Sequence, residues 1–149
     1  MHLTIVNDMI NYFTLEQGVC KMSDHVTPYL IYRDAPAAIE FLTNAFGFLE
    51  KSRFALDDGR IGHAELTCGD GSVMLASEFD GFGRSPLGLP DVHGQTYCTV
   101  HDVDAHFARA RANGATLTSE PTDRDGTRMY RAIDPEGHRW IFAQPEAQS

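Results

Sequence analysis

From Val26 onward, apolar and polar positions fall into short runs separated by turn residues. Residues 26–32 (VTPYLIY) are β-branched and aromatic and predict a strand. Asp34 can cap a helix starting near Ala35, with Pro36 in its first turn. Ile39, Phe41, Leu42, Ala45 and Phe46 recur at helical spacing, and Gly47 ends the run. A strand follows near 48–56, then the turn Asp57-Asp58-Gly59. Residues 61–68 (IGHAELTC) and 72–78 (SVMLASE) predict a hairpin across Gly69-Asp70-Gly71. Residues 79–94 carry four glycines and two prolines, with Phe82 between two of the glycines, and predict a mobile connection or lid.

The same order then recurs. Residues 95–101 (QTYCTVH) predict a strand, and Asp102 or Asp104 caps a helix through Ala112, closed by Gly114. A short strand over 115–119 precedes a hairpin of 128–133 and 138–143 across Asp134-Pro135-Glu136-Gly137. The caps Asp34 and Asp102 differ by 68, the helix ends Gly47 and Gly114 by 67, and the hairpin turns Gly71 and Gly137 by 66. Three independent punctuation marks thus agree on a duplicated βαβββ module, an α+β arrangement. One domain over about residues 25–145 is predicted: module one to about 79, the connection to about 94, then module two. Residues 1–24 stand apart; Ile5, Met9, Tyr12 and Phe13 allow a short amphipathic helix, and a disordered tail is the alternative.

Composition narrows the class. A chain of 149 residues makes one domain and buries enough surface to fold without metal or disulfide. With 42% hydrophobic and 22% charged residues, disorder and a coiled coil are disfavoured. A net charge of −9 argues against nucleic acid or an anionic membrane as partner, and no apolar run approaches the ~18 residues of a membrane span. Cys20, Cys68 and Cys98 are odd in number and lack a CxxC spacing, which suits reduced thiols. The N-terminus has no basic segment followed by a small-residue cleavage site, so a cytoplasmic protein is expected. No nucleophile elbow, Walker loop or GxGxxG occurs.

The strings VTPYLIYRDAPAAIEFLTNAFGF, GHAEL with GDGSVMLASE, DVDAHFARARANGA and RDGTRMYRAIDPEGHRWIF resemble the vicinal oxygen chelate superfamily, in its glyoxalase/bleomycin-resistance branch. The similarity spans about residues 26–144, and DPEGHRW is its most specific piece. The resemblance implies paired βαβββ modules whose mixed sheet forms a cup around a small-molecule pocket, with helices outside. It also implies a homodimer, with pockets near the subunit interface and modules exchanged between chains as one option. In metal-dependent members, four cup residues hold a divalent ion that acts as a Lewis acid. The matching positions here are Thr27, Leu75, Gln95 and Ile141. None is a histidine or carboxylate, so no metal and no cofactor are expected.

Strand alternation places His63, Glu65 and Thr67 toward the cup, and Ala64, Leu66 and Cys68 toward a helix. Tyr29 shares parity with Thr27, and Tyr97 with Gln95, so both tyrosines are expected in the cup. Arg131 is the quasi-symmetric counterpart of Glu65, and an inward Glu65–Arg131 ion pair is expected. A catalytic base at Glu65 and a His63/Glu65 metal site are the alternatives. Trp140 and Phe142 should pack beneath a helix, with Arg128 and Tyr130 as core or edge residues. Cys68 and Cys98 should be buried, inert thiols. His93, His101, His106 and His138 are expected to be solvated or packing residues, and His2 and His25 lie in or beside the tail.

The function this predicts is metal-free binding of a small organic molecule, on the pattern of bleomycin-resistance sequestration. The acidic surface fits a basic ligand. The alternative is a glyoxalase-like lyase, isomerase or dioxygenase built around Glu65, with His63, Gln95 or Tyr97 positioning the substrate. A regulator or scaffold without catalysis is a third class.

Overall fold

The computed structural model describes residues 25–147, so the expectations for residues 1–24 lie outside the described residues. Module one runs β1 (Tyr29–Tyr32), α1 (Ala35–Phe46), β2 (Leu49–Ala55), β3 (Ile61–Cys68) and β4 (Gly71–Ser77). Module two runs β5 (Gln95–Thr99), α2 (Val103–Ala112), β6 (Thr116–Leu117), β7 (Thr122–Arg124), β8 (Thr127–Ile133) and β9 (Arg139–Pro145). The fold is α+β, with two helices and mixed sheets in a cupped arrangement.

Each helix starts where its cap residue sits. The Asp34 side chain accepts from the Ala37 N–H at 3.1 Å, and that of Asp102 from the Ala105 N–H at 3.0 Å. Such a cap contributes about 1 kcal/mol by satisfying one of the free amides of the first turn. Gly47 ends α1 at φ 74°, a conformation a Cβ would disfavour.

The strands form two sheets, ordered β1-β4-β3-β2 and β5-β9-β8-β6, with β7 pairing to β8. In each sheet the first strand lies parallel to the last strand of its module, and the other neighbours are antiparallel. β1 and β5 are therefore edge strands.

Register assigns the faces. Tyr29 pairs with Met74 and Met74 with Glu65, so these three share one face. Leu30 pairs with Leu75 and Leu75 with Ala64 on the other. In the second sheet Tyr97, Ile141 and Arg131 share a face, and Cys98, Phe142 and Tyr130 the opposite one. Leu75, Ala64, Phe142 and Tyr130 belong to one hydrophobic core together with Ile39, Leu42 and Phe46 of α1 and Val103 and Ala110 of α2, and the partly buried Leu30 and Cys98 pack against it. Phe46 packs on Trp140 and Phe142 at ring-centroid distances of 5.5 and 4.7 Å, which joins the two modules. Both sheets thus turn their helix-covered side into a shared core, and each open face lies on the far side of its sheet.

Leu75 is the clearest correction. It is 0% exposed in this core and does not face the cup. Tyr29 and Tyr97 differ by 68, Glu65 and Arg131 by 66, and Met74 and Ile141 by 67. The repeat offset drifts along the module, and a slip of one residue in a strand reverses the face. Met74 holds the place expected of Leu75.

A polar junction also holds the modules together. The turn residue Asp134 is 3% exposed. Its carboxylate accepts from the Tyr32 hydroxyl at 2.6 Å, the Trp140 indole N–H at 3.1 Å, and the Glu136 and His138 amides at 3.1 Å. Glu136, 8% exposed, accepts from the Asp34 amide at 2.8 Å and from the Ser85 hydroxyl at 2.5 Å. The 79–94 connection is therefore anchored at its middle: Ser85 also donates its amide to Glu78 at 2.8 Å. The connection expected to be mobile or a lid is thus hydrogen-bonded at Ser85 to Glu78 and Glu136, as a strap between the modules.

Candidate functional site

The open face of the first sheet gathers Tyr29, His63 and Glu65. The Tyr29 hydroxyl and His63 Nδ1 lie 2.8 Å apart. The Tyr29 ring meets Phe82 edge-on at 5.5 Å, so the strap lays an aromatic ring over β1. Gly83 permits this approach, since a Cβ there would sit 2.8 Å from Ile31 Cγ1. Glu65 pairs with Lys51 at 3.1 Å. The expected Glu65–Arg131 pair does not form: the two occupy equivalent positions on separate sheets, and Glu65 pairs with Lys51 instead. Thr27 lies just before β1, half-buried.

The open face of the second sheet carries Gln95, Tyr97, Arg131 and Ile141, as the resemblance, the repeat and strand parity together implied. Tyr97 is 54% exposed. Arg139 shares this face and was missed, although its parity with Ile141 would have found it. Trp140 and Phe142 are fully buried against the helices, as their opposite parity requires.

A cleft of about 1030 Å³ opens between the edges of β1 and β5. Tyr29 lines one side and Gln95 and Tyr97 the other, with Leu30, Cys68 and Cys98 deeper in. Desolvation raises the Cys68 thiol, and that of Cys98, with Cys68 adding to the effect, is pushed up to about 12. Both thiols are thus protonated and poorly nucleophilic. A second cavity of about 470 Å³ adjoins the cleft, with Gln95 and Arg139 common to both.

The remaining histidines are structural where contacts fix them. His106 lies 2.6 Å from the Tyr130 hydroxyl through Nδ1, and its Nε2 is 2.8 Å from the Phe46 carbonyl. The carbonyl can only accept, so the proton sits on Nε2 and Tyr130 donates to Nδ1. His138 Nε2 bonds the Ile31 carbonyl at 2.8 Å. His93 and His101 line the cleft.

A family model described as the Glyoxalase/Bleomycin resistance protein/Dioxygenase superfamily matches residues 23–142. The chain belongs to this superfamily. An uncharacterised Mycobacterium bovis protein is 35% identical over 125 residues, covering 80% of this chain and 82% of its own. TioX from Micromonospora sp. ML1 is 34% identical with a TM-score of 0.68, over 83% of this chain and 99% of TioX. The fosfomycin resistance protein FosX from Listeria monocytogenes, solved with Mn(II) and sulfate, shares the fold at 15% identity. Its TM-score is 0.62, over 82% of this chain and 92% of FosX.

Members of the superfamily that use a metal need histidine or carboxylate donors. The positions here hold Thr27, Met74 in place of Leu75, Gln95 and Ile141. A thioether and a branched hydrocarbon do not fit a hard divalent cation. Among the described residues no three His, Cys, Asp or Glu side chains come together as a metal site. The donor set does not fit the metal of this superfamily. No helix among the described residues is long and apolar enough to cross a membrane.

Proposed function

We propose that this protein binds a small organic molecule, without a metal, between the open face of the first sheet and that of the second. The two faces belong to one binding cup only when two copies associate, module one of each against module two of the other. The observation that supports this is the exposure of large side chains on these faces. Leu49 is 69% exposed, Phe54 64%, Tyr97 54% and Tyr29 41%, beside unpaired β1 and β5 edges. Every residue of β2 is exposed. Aromatic rings with a few polar groups make an ordinary small-molecule wall.

The role is sequestration or carriage rather than turnover. A metal-independent enzyme is the second reading, favoured by the Tyr29–His63 hydrogen bond beside Glu65, where a proton can be relayed.

Native mass spectrometry of protein purified without denaturation tests the proposal. A retained small molecule on a dimer, lost in Tyr29→Ala and in Tyr97→Ala, is the expected result. A monomer that retains nothing and shows no thermal shift against a chemically mixed ligand panel would refute it. Chemical change of a captured ligand that stops in His63→Gln or Glu65→Gln, with binding retained, would select the enzyme.

A further inference from the structure

The cavity beside Gln95 runs against the charge of the whole chain. Arg131, Arg139, His93, Thr118 and Ser119 line it, and Asp91 is its single carboxylate. Asp91 turns back to accept from the Val92 amide at 2.8 Å. Arg131 pairs with Ile141, and Arg139 with Ile133, so the two arginines lie diagonally on neighbouring strands of one face. Such diagonal neighbours are about 7–8 Å apart, within joint reach of one group. Five of the ten arginines, Arg33, Arg53, Arg60, Arg84 and Arg128, form ion pairs with carboxylates, and Arg109 donates to the Asn44 and Thr43 carbonyls. Among the described residues, Arg131 and Arg139, like the exposed Arg111 and Arg124, have neither an ion pair nor a side-chain hydrogen bond, but only Arg131 and Arg139 line one cavity together. The Nε of Arg139 is moreover buried with no acceptor. A donor left in this state costs free energy unless something else supplies the acceptor. Ser119 Oγ accepts from the Arg131 amide at 2.9 Å, which leaves its own hydrogen free to donate into the cavity.

The geometry points to an anion site: Arg131 and Arg139 hold a carboxylate or phosphoryl group of the bound small molecule. The planar guanidinium forks match two oxygens of such a group. Arg139 and Gln95 also line the larger cleft, so the ligand's apolar body extends from the anionic head along Tyr97. The inference rests on the proposed small-molecule function and names the ligand class. It reverses the expectation of a basic ligand, because a net charge of −9 describes the surface and this cavity is locally cationic.

Isothermal titration with phenylphosphonate and with benzamidine, a cation of similar size, tests it on the full chain. Phenylphosphonate is expected to bind, at least tenfold more weakly in Arg139→Gln and in Arg131→Gln, and benzamidine not to bind. Arg139→Lys, which keeps the charge and loses the fork, should recover part of the affinity, and thermal melts of each variant confirm folding. Equal affinity in wild type and both glutamine variants would mean an adventitious ion only and would overturn the assignment. Binding of benzamidine but not phenylphosphonate would overturn it while leaving the small-molecule cup standing. Silence toward both, with no ligand retained by the native dimer, would remove the cup as well. Phenylphosphonate binding only to Glu65→Gln would show that the Glu65 carboxylate of a second copy fills the arginines, which also overturns it.

Discussion

His106 shows how a residue with functional chemistry can be committed to packing. Desolvation lowers its pKa below the ordinary 6.5, with the Arg109 charge acting in the same direction and the Phe46 carbonyl opposing. The unfolded chain therefore binds a proton here more readily than the folded one. The resulting stability is complete above about pH 6.5 and is lost as pH falls through the lower folded value. Thermal melts from pH 7.5 to 5 should show a steeper fall for wild type than for His106→Gln. Asp134 is a second such residue, since one buried carboxylate serves four donors. Asp134→Ala strands those donors and should cost about 3 kcal/mol or more in urea unfolding. The cysteines close the residue scale. With Cys98 pushed up to about 12 and Cys68 raised, a Cys20→Ser protein should react with Ellman's reagent at pH 8 slowly when native and fully when denatured.

At the scale of elements, the strap over β1 carries its own prediction. Gly83 is not among the glycines of positive φ, but a Cβ would meet Ile31 at 2.8 Å. Gly83→Ala should lift the strap from the first sheet, separate Phe82 from Tyr29, and weaken ligand binding severalfold with little loss of stability. Titration calorimetry beside a thermal melt separates the two effects. The strap's anchorage was not legible in the sequence, because its glycines and prolines report only a connection; Ser85 and Glu136 meet through tertiary packing across 51 residues. The strands and helices were legible because turn chemistry and apolar period agreed at each boundary. β7 was not: Thr122, Asp123 and Arg124 are exposed and have no apolar period. Its signal was the turn, with Asp125 at φ 49° and Gly126 at φ 74°, the pair that a two-residue hairpin requires. The open-face residues of the second sheet followed from the family resemblance for Gln95 and Ile141, from the repeat for Arg131 and from parity with Gln95 for Tyr97. Leu75 did not, because the repeat offset changes by a residue between strands and only paired register resolves it.

At the scale of the whole molecule, the proposed association of two copies rests on the two open faces. A single chain presents Leu49, Phe54 and Tyr29 on one sheet and Tyr97 on another, each exposed among the described residues, with Phe82 edge-on against Tyr29. A stable two-fold interface needs about 1,200–2,000 Å² of buried surface, and the proposed association would draw it from the two sheet faces and the β1 and β5 edges. Light scattering should therefore give twice the 16.5 kDa chain mass. Phe54→Glu sets a charge on the exposed face, where it disturbs no core contact of the monomer. It should split the dimer while the melting temperature extrapolated to low concentration stays close to that of wild type. The same variant separates two designs for the site. If both sheet faces contribute, splitting the dimer removes ligand affinity although Arg131, Arg139 and Tyr97 are untouched. If the second sheet suffices, the Phe54→Glu monomer binds as the wild type does, and the first sheet's aromatic face serves association alone.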